Sequence, residues 1–347
     1  MTHAKCVVRM DLWIDPVFDA RLAREADMAL RVAPAKGDDK SAWQFLVQAH
    51  VYQISAARHE LPLHFHAGAE LLARCPGLLC VSSTGAGHDT VDVDACSRAG
   101  VLVVNQIGGN AQSVGEMALG LMLALSRRIV ESDRTLRRER GFTRESLMGH
   151  DLSGQTLGIV GIGHTGTRTA ALARAFGMPV LAHDPLLDDA EVRGRGAEPA
   201  DLPELLQRSD IVSLHCPLNA DTVGLFDAQR FASMKRGALF VSTARGGIHD
   251  ESALLAALTS GHLGGAALDV WQSEPPPLDH PLLTLPNVVA TWHTAGVSHE
   301  GRHQIAAVAA DQVVSLLRGE RPPRMVNPDA WPTFQRRLAE SGLQRFG

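Results

Sequence analysis

Long apolar runs are missing from this 347-residue chain. The longest, 117–125, is about half of the roughly 18 residues a membrane-spanning helix needs, so no membrane partner is expected. Residues 1–5 lead straight into a short apolar run, without the basic start, apolar stretch and cleavage site of a secretory signal. Cysteine is sparse. Cys6, Cys75, Cys80, Cys96 and Cys216 form neither a C-x-x-C pair nor an even framework, and a reducing, cytoplasmic location is the expectation. A cationic surplus is missing too: a net charge of -5 argues against a nucleic-acid partner held on a broad basic face. No repeat of about 20 to 50 residues and no low-complexity tract occurs, so a solenoid is excluded. What is present is 45% hydrophobic and 20% charged residues, the balance of a globular protein. At about 100 to 200 residues per domain, the length suggests two.

The chain is organised around 154–173. An apolar run at 157–160 suits a strand buried on both faces, and it is followed by Gly161, Gly163 and Gly166 in G-x-G-x-x-G spacing. The first glycine permits a tight turn, the second lets a pyrophosphate approach bare backbone, and the third lets the new helix pack on the strand. Free N–H groups at that helix start would face the phosphates. Ala170, Leu172, Ala173 and Phe176 continue the helix, Gly177 ends it, and a second strand at 180–182 leads to Asp184. That acid stands where such a fingerprint places a carboxylate for the adenosine ribose.

Before this centre, apolar runs at 6–10, 29–32, 51–54, 78–82 and 101–104 alternate with amphipathic segments, the pattern of parallel strands with crossover helices. The glycine-rich loop 83–89 follows one of these strands at its carboxyl end, where open α/β sheets bind ligands. His64 and His66, two apart, would face one way if extended. No third ligand or cysteine cluster accompanies them, and no metal is expected. A long helix at 112–129 is expected to bridge the domains. Arginines crowd 134–144, but interleaved acids make that segment a solvated or subunit-contacting helix. Beyond the glycine loop, strands at 211–214, 238–242, 264–270 and 288–291 alternate with helices at 202–207, 228–234, 251–260 and 302–317, so this second unit is doubly wound.

A nicotinamide cofactor moves hydride, so its partner groups must hold a carbonyl, neutralise a growing alkoxide and deliver a proton. Arg245 follows one strand beside two glycines and could hold a substrate carboxylate by a bidentate pair. Asp269 closes the next strand, Glu274 follows it, and His293 follows the last one. A hydrogen bond from His293 to Glu274 would fix the ring's tautomer and favour its charged form, leaving the other nitrogen to protonate the substrate oxygen.

In the order Gly161-x-Gly163-x-x-Gly166, Asp184, His215-Cys216-Pro217-Leu218, Ala244-Arg245-Gly246, Ala266-Ala267-Leu268-Asp269-Val270, Glu274-Pro275 and His293, the chain resembles the D-isomer-specific 2-hydroxy-acid dehydrogenases. The resemblance runs from about residue 71 to residue 296. It implies an α/β fold of two domains, a Rossmann doubly wound parallel sheet (107–298) inserted into a flavodoxin-like α/β substrate domain (1–106 and 299–347). It implies hydride exchange between NAD(H) and a small 2-oxo or D-2-hydroxy acid in a cleft between the domains, with homodimers built through the cofactor domain. By the same resemblance Arg245 binds the carboxylate and carbonyl, His293 is the acid/base and Glu274 its partner. His164 and Thr165 lie on the pyrophosphate, Asp184 on the ribose, Cys216 and Pro217 beside the adenosine half, and Thr243, Ala244 and Asp269 near the nicotinamide. Ala86 and Gly87 match the family's substrate-carboxylate loop.

The chain departs from the family pattern where Trp292 replaces the usual proline before the histidine and Ser242 the usual asparagine. The loop 55–65 is longer than usual and lacks an Arg-Ser-Thr phosphate pattern, which makes 3-phosphoglycerate the less favoured substrate beside glyoxylate or hydroxypyruvate. Asp184 favours NAD, whereas Arg193 and Arg195 keep NADP as an alternative. An NAD(H)-sensing interaction protein on the same fold is the competing reading, which the Arg245, Glu274 and His293 set disfavours because a sensor needs no acid/base pair. In formate oxidation, a third reading, the family carries glutamine at the position of Glu274.

Overall fold

Short apolar runs, hidden on both faces everywhere but at the edge strands Met28–Ala33 and Glu198–Pro199, mark the strands of two separate parallel sheets. The computed structural model describes residues 4–37 and 39–343. The chain divides into two compact units, Met1–Asn110 with His299–Gly347, and Ala111–Ser298.

The first unit holds β1 (Lys5–Met10), β2 (Met28–Ala33), β3 (Val51–Ile54), β4 (Cys80–Ser83) and β5 (Leu102–Val104) in the order β2-β1-β3-β4-β5. Alternate residues feed opposite faces. Val8, Tyr52, Val81 and Val103 meet Trp43, Phe65 and Leu71 on one side, and Val7, Leu102 and Val104 meet Ala309, Val313 and Phe334 on the other. That second face is covered by His299–Leu317 and by Trp331–Glu340, a helix the sequence reading does not include.

The second unit holds β6 (Leu157–Val160), β7 (Val180–His183), β8 (Glu198–Pro199), β9 (Ile211–Leu214), β10 (Leu239–Ser242), β11 (Gly265–Leu268) and β12 (Val288–Ala290). Their order is β12-β11-β10-β9-β6-β7-β8, all parallel, so the winding reverses between β9 and β6. At such a reversal the carboxyl ends of neighbouring strands splay apart and leave a crevice. Ala118, Leu121 and Met122 of helix Ala111–Ser126 pack on Leu157, Ile159 and Val241 of this sheet. The helix expected at 112–129 therefore belongs to the second unit's own core, and it stops at Ser126 because Arg128 adopts a left-handed φ of 51°. The arginine-rich segment begins as a separate helix, Ile129–Arg138, with no buried residue. Among the described residues no helix is long and apolar enough to cross a membrane.

Candidate active site

Every strand of the second unit runs the same way, so the residues that follow β6, β7, β9, β10, β11 and β12 all emerge on one edge. Gly161 leaves β6 with φ +89°, and a side chain there would come within 2.7 Å of the Cys216 backbone beyond β9. Gly166 sits against the Gly161 carbonyl with no room for a methyl group, which brings helix His164–Ala175 onto β6. Gly163 differs from both: a Cβ there would meet nothing within 4 Å, and no side chain caps the helix that starts beside it. The backbone is thus tight where the chain packs on itself and bare where a phosphate would approach. Asp184, just past β7, accepts from Ile162 N at 3.0 Å and from Leu186 N at 3.1 Å, while Arg195 donates to the Ile162 carbonyl at 2.8 Å. Arg195 is thereby engaged with the glycine loop, and Arg193 pairs with Asp189 on the surface. Ser242 Oγ and Thr243 Oγ1, at the end of β10, are buried with no hydrogen-bond partner. A bare phosphate-sized approach at Gly163 and unmet hydroxyls at a neighbouring strand end fit a dinucleotide stretched along this edge.

His164 is exposed at the first turn of the helix, Thr165 is half-buried behind it, Cys216 is half-buried and Pro217 is exposed. Burial pushes the Cys216 thiol up to about 11, which keeps it protonated and unreactive at neutral pH. His215 is pushed down to about 4 by burial and shares a 3.0 Å hydrogen bond with Ser213 Oγ, a structural role.

Arg245, Glu274 and His293 assemble at the ends of β10, β11 and β12. His293 Nδ1 and Glu274 Oε2 are 2.8 Å apart. Glu274 Oε1 accepts from the Trp271 backbone N–H at 3.1 Å. Burial by itself would raise the Glu274 pKa. The His293 hydrogen bond and charge, the Trp271 N–H and the Arg245 guanidinium together outweigh it and hold the carboxyl below its usual range. Gly246 makes the approach of Arg245 feasible, because a side chain at that position would collide with the Trp271 carbonyl. Arg245 Nη1 also donates to the Ala244 carbonyl at 2.7 Å, which curls the guanidinium back over its own loop.

His293 has a φ of 47°, a left-handed conformation that only strong local restraint maintains in a non-glycine residue. Asp269 supplies the restraint. Fully buried, it accepts from Thr291 Oγ1 at 2.6 Å, Thr294 N at 2.8 Å and Ala295 N at 2.9 Å, and its own carbonyl takes the His293 N–H at 2.6 Å. The structure thus brings Arg245, Glu274, His293 and Asp269 together, with Asp269 turned inward as the clamp on the histidine loop. Trp292 stands on the rim, 55% exposed.

Two further residues were not singled out from the sequence. Glu251 Oε1 accepts from Gln272 N at 2.7 Å, and Glu251 Oε2 lies 3.1 Å from His280 Nε2. His280 meets the edge of Trp271, whose Nε1 donates to the Thr291 carbonyl at 3.0 Å. This brace holds the 271–274 turn that carries Glu274. Its sequence signal is weak, since an acid in a helix's first turn normally serves only the helix end.

In the first unit, loop 83–88 is held by Ser83 Oγ on the Gly87 carbonyl at 2.8 Å, Asn105 Nδ2 on the Ala86 carbonyl at 2.8 Å and Gly85 N on Gln106 Oε1 at 2.9 Å. The carbonyls are tied down, and among the described residues no acceptor meets the Ala86 or Gly87 N–H. That leaves peptide donors to receive an anion. His64 lies 3.1 Å from Asp39 and His66 lies 3.2 Å from the Leu61 carbonyl, so the two rings serve different partners. Among the described residues no group of three or more His, Cys, Asp or Glu side chains could hold a metal ion.

Residues 119–295 match the family model described as D-isomer specific 2-hydroxyacid dehydrogenase, NAD binding domain. The chain is 38% identical to a glyoxylate reductase of Korarchaeum cryptofilum over 264 residues, 75% of this chain and 80% of that protein. It is 42% identical to a D-3-phosphoglycerate dehydrogenase of Mycobacterium tuberculosis over 259 residues, 75% of this chain but 49% of that protein, so it spans about half the length of such relatives. A solved glyoxylate reductase from Paecilomyes thermophila superposes with a TM-score of 0.81 at 27% identity, covering 93% of this chain and 98% of that one. The glycine cradle and the strand-end glutamate–histidine pair thus sit in a chain that belongs to the D-isomer specific 2-hydroxyacid dehydrogenase family, with an NAD-binding domain as its second unit.

Proposed function

We propose that the protein is an NAD-dependent oxidoreductase that interconverts a small 2-oxo acid of the glyoxylate or hydroxypyruvate type and the matching D-2-hydroxy acid. The observation that carries this reading is the 2.8 Å contact between His293 Nδ1 and Glu274, beside the Arg245 charge. Bound NAD(H) supplies or takes up the hydride. Arg245 holds the substrate carboxylate and polarises its carbonyl oxygen, where negative charge grows during reduction. Glu274 fixes His293 so that Nε2 gives a proton to that oxygen in reduction and removes it in oxidation. The Ala86 and Gly87 N–H groups are further donors for the substrate carboxylate. Gly161, Gly163, His164, Thr165 and Gly166 carry the pyrophosphate, Asp184 the ribose, Cys216 and Pro217 the adenosine half, and Thr243, Ala244 and Asp269 the nicotinamide end. Residues 107–298 then form the cofactor domain, and 1–106 with 299–347 the substrate domain.

The charge at Asp184 opposes a 2'-phosphate, which supports NAD over NADP. Ile129, Leu136 and Met148 are exposed on and after the helix Ile129–Arg138, and they support a homodimer formed through this face. All five cysteines are free thiols, in keeping with a reducing cytoplasm. Following NADH absorbance with a panel of 2-oxo acids tests the central reading. Turnover of glyoxylate or hydroxypyruvate is expected, and a protein that oxidises NADH with none of them refutes it.

A further inference from the structure

The turn 271–274 brings Glu274 to His293, and it has few bonds of its own. Trp271 is buried, but Gln272 and Ser273 are exposed, and among the described residues no backbone carbonyl accepts from an N–H of these four. Carboxylates meet two of those N–H groups instead. Glu274 Oε1 takes the Trp271 N–H at 3.1 Å, a bond within the turn. Glu251 Oε1 takes the Gln272 N–H at 2.7 Å, a bond to a different element. A largely exposed turn with so little internal bonding takes its position from the rigid groups that hold it from outside.

Glu251 is such a group. It opens the helix Glu251–Thr259, which Leu254 and Leu258 fix in the core of the second unit. An acid at that place ordinarily serves the helix end, but here Asp250 does so, accepting from Ser252 N at 2.8 Å and Ala253 N at 3.0 Å. Glu251 is left to reach the turn. Its other oxygen lies 3.1 Å from His280 Nε2, and the two side chains are shielded from water, 12% and 16% exposed. His280 in turn precedes the helix Pro281–Thr284, anchored in the same core by Leu282, and its ring meets the Trp271 ring edge-on. Adjacent residues of the turn are thus tied to two core-anchored helices, Trp271 through His280 and Gln272 through Glu251.

Resting on the function proposed above, we propose that Glu251 is a positioning residue of the reaction: by holding the Gln272 N–H, with His280 steadying its second oxygen, it sets the place of the Glu274 carboxylate and through it the His293 ring. What counts is the reach of the Glu251 oxygen and not its charge, because the group it holds is a neutral peptide N–H. A misplacement of about 1 Å at an acid/base group costs on the order of 100-fold in rate, so a change at Glu251 registers in kcat.

Two substitutions separate reach from charge. Glu251→Gln keeps the length and an acceptor for the Gln272 N–H, with its NH₂ turned to His280 Nε2. Glu251→Asp keeps the charge but falls one methylene short, and aspartate suits the first turn of a helix, so the fold is retained. In the reduction of glyoxylate or hydroxypyruvate, Glu251→Gln is expected within about threefold of the parent, and Glu251→Asp loses roughly 10- to 100-fold in kcat with KM changed by less than about threefold. In a Glu274→Gln background the loss from Glu251→Asp shrinks to about threefold or less, because the group it positions is already impaired. A Glu251→Gln variant impaired as much as Glu251→Asp, or more, assigns the effect to charge and overturns the proposal. Two variants that both match the parent overturn it as well, and so does a Glu251→Asp loss of equal size in the Glu274→Gln background, which places its action elsewhere. Should no 2-oxo acid be turned over, the functional reading fails separately, and hydrogen exchange of the full-length protein decides on the tether. The amides of 271–274 are expected to exchange faster in Glu251→Asp than in the parent while those of β6 and β9 do not, and unchanged protection of the turn overturns it.

Discussion

Replacing Glu274 by glutamine keeps the side chain's shape and removes its charge. One oxygen of Glu274 takes the Trp271 N–H at 3.1 Å and the other lies 2.8 Å from His293 Nδ1. The amide can still accept one of these bonds. Its NH₂ then faces a second donor, so either the Trp271 turn or the histidine ring loses its partner. The lost interaction is a charge-assisted hydrogen bond in a site where Glu274 is 19% exposed, worth about 1.5 to 3 kcal/mol, or roughly 10- to 150-fold in kcat/KM. The sign with pH follows from the carboxylate. Glu274 is held below its ordinary range, so the stability it contributes is present above the unfolded-state value of about 4.3 and is lost as the pH falls through the lower folded value. Steady-state reduction rates of both proteins from pH 5 to 10, with urea unfolding at pH 7 and pH 3, measure both effects. Overlapping rate profiles, or a stability difference that persists at pH 3, would refute the assigned role.

The glycine loop makes a paired prediction. Gly163→Ala should melt as the parent does but bind NADH more weakly in a fluorescence titration, whereas Gly166→Ala, forced against the Gly161 carbonyl, should lose about 1 to 3 kcal/mol of stability. Asp269→Asn cannot accept from Thr291 Oγ1, Thr294 N and Ala295 N together, so urea unfolding should show a loss of about 1 to 3 kcal/mol and reduction should slow. His249, 1% exposed against Phe240 with neither ring nitrogen partnered, is pushed down to about 4 by burial. Between that value and about 6.5 the unfolded chain binds the extra proton, so stability falls as pH drops, by up to about 1.4 kcal/mol per pH unit. His249→Phe should flatten that slope in urea titrations, and an unchanged slope would count against a neutral buried ring.

The periodic parts of the fold were legible in the residues. The alternation of Val7 and Val8, and of Leu102, Val103 and Val104, between two cores is the signature of a strand covered on both sides, and it needs no tertiary information. Helix Trp331–Glu340 repeats Trp331, Phe334 and Leu338 at helical spacing, but Pro332 inside its first turn reads as punctuation until the helix start is known. The break at Arg128 was harder to foresee, because arginine has no preference for a left-handed backbone. Its side chain, bridged to Glu131 at 2.6 and 2.7 Å and to the Ser146 carbonyl at 2.7 Å, holds that turn through contacts the local sequence does not announce.

Two glutamate–histidine pairs at the same sheet edge sharpen the point. Glu251 with His280 and Glu274 with His293 look alike as residue types, and both are hydrogen-bonded, at 3.1 and 2.8 Å. Their surroundings separate them. His280 is 16% exposed, edge-on to Trp271, with its Nδ1 buried and unpartnered, so a proton gained there has no route to a ligand. His293 is 36% exposed on a loop whose backbone Asp269 holds in an otherwise unfavourable conformation, and its hydrogen bond to Glu274 occupies only Nδ1. The first pair has the character of a brace and the second of an acid/base, yet they are connected: Glu251 holds Gln272, and the Trp271 N–H holds Glu274. In the proposed reaction, proton transfer at His293 therefore depends also on the half-buried carboxylate of Glu251, through a turn whose geometry both pairs share.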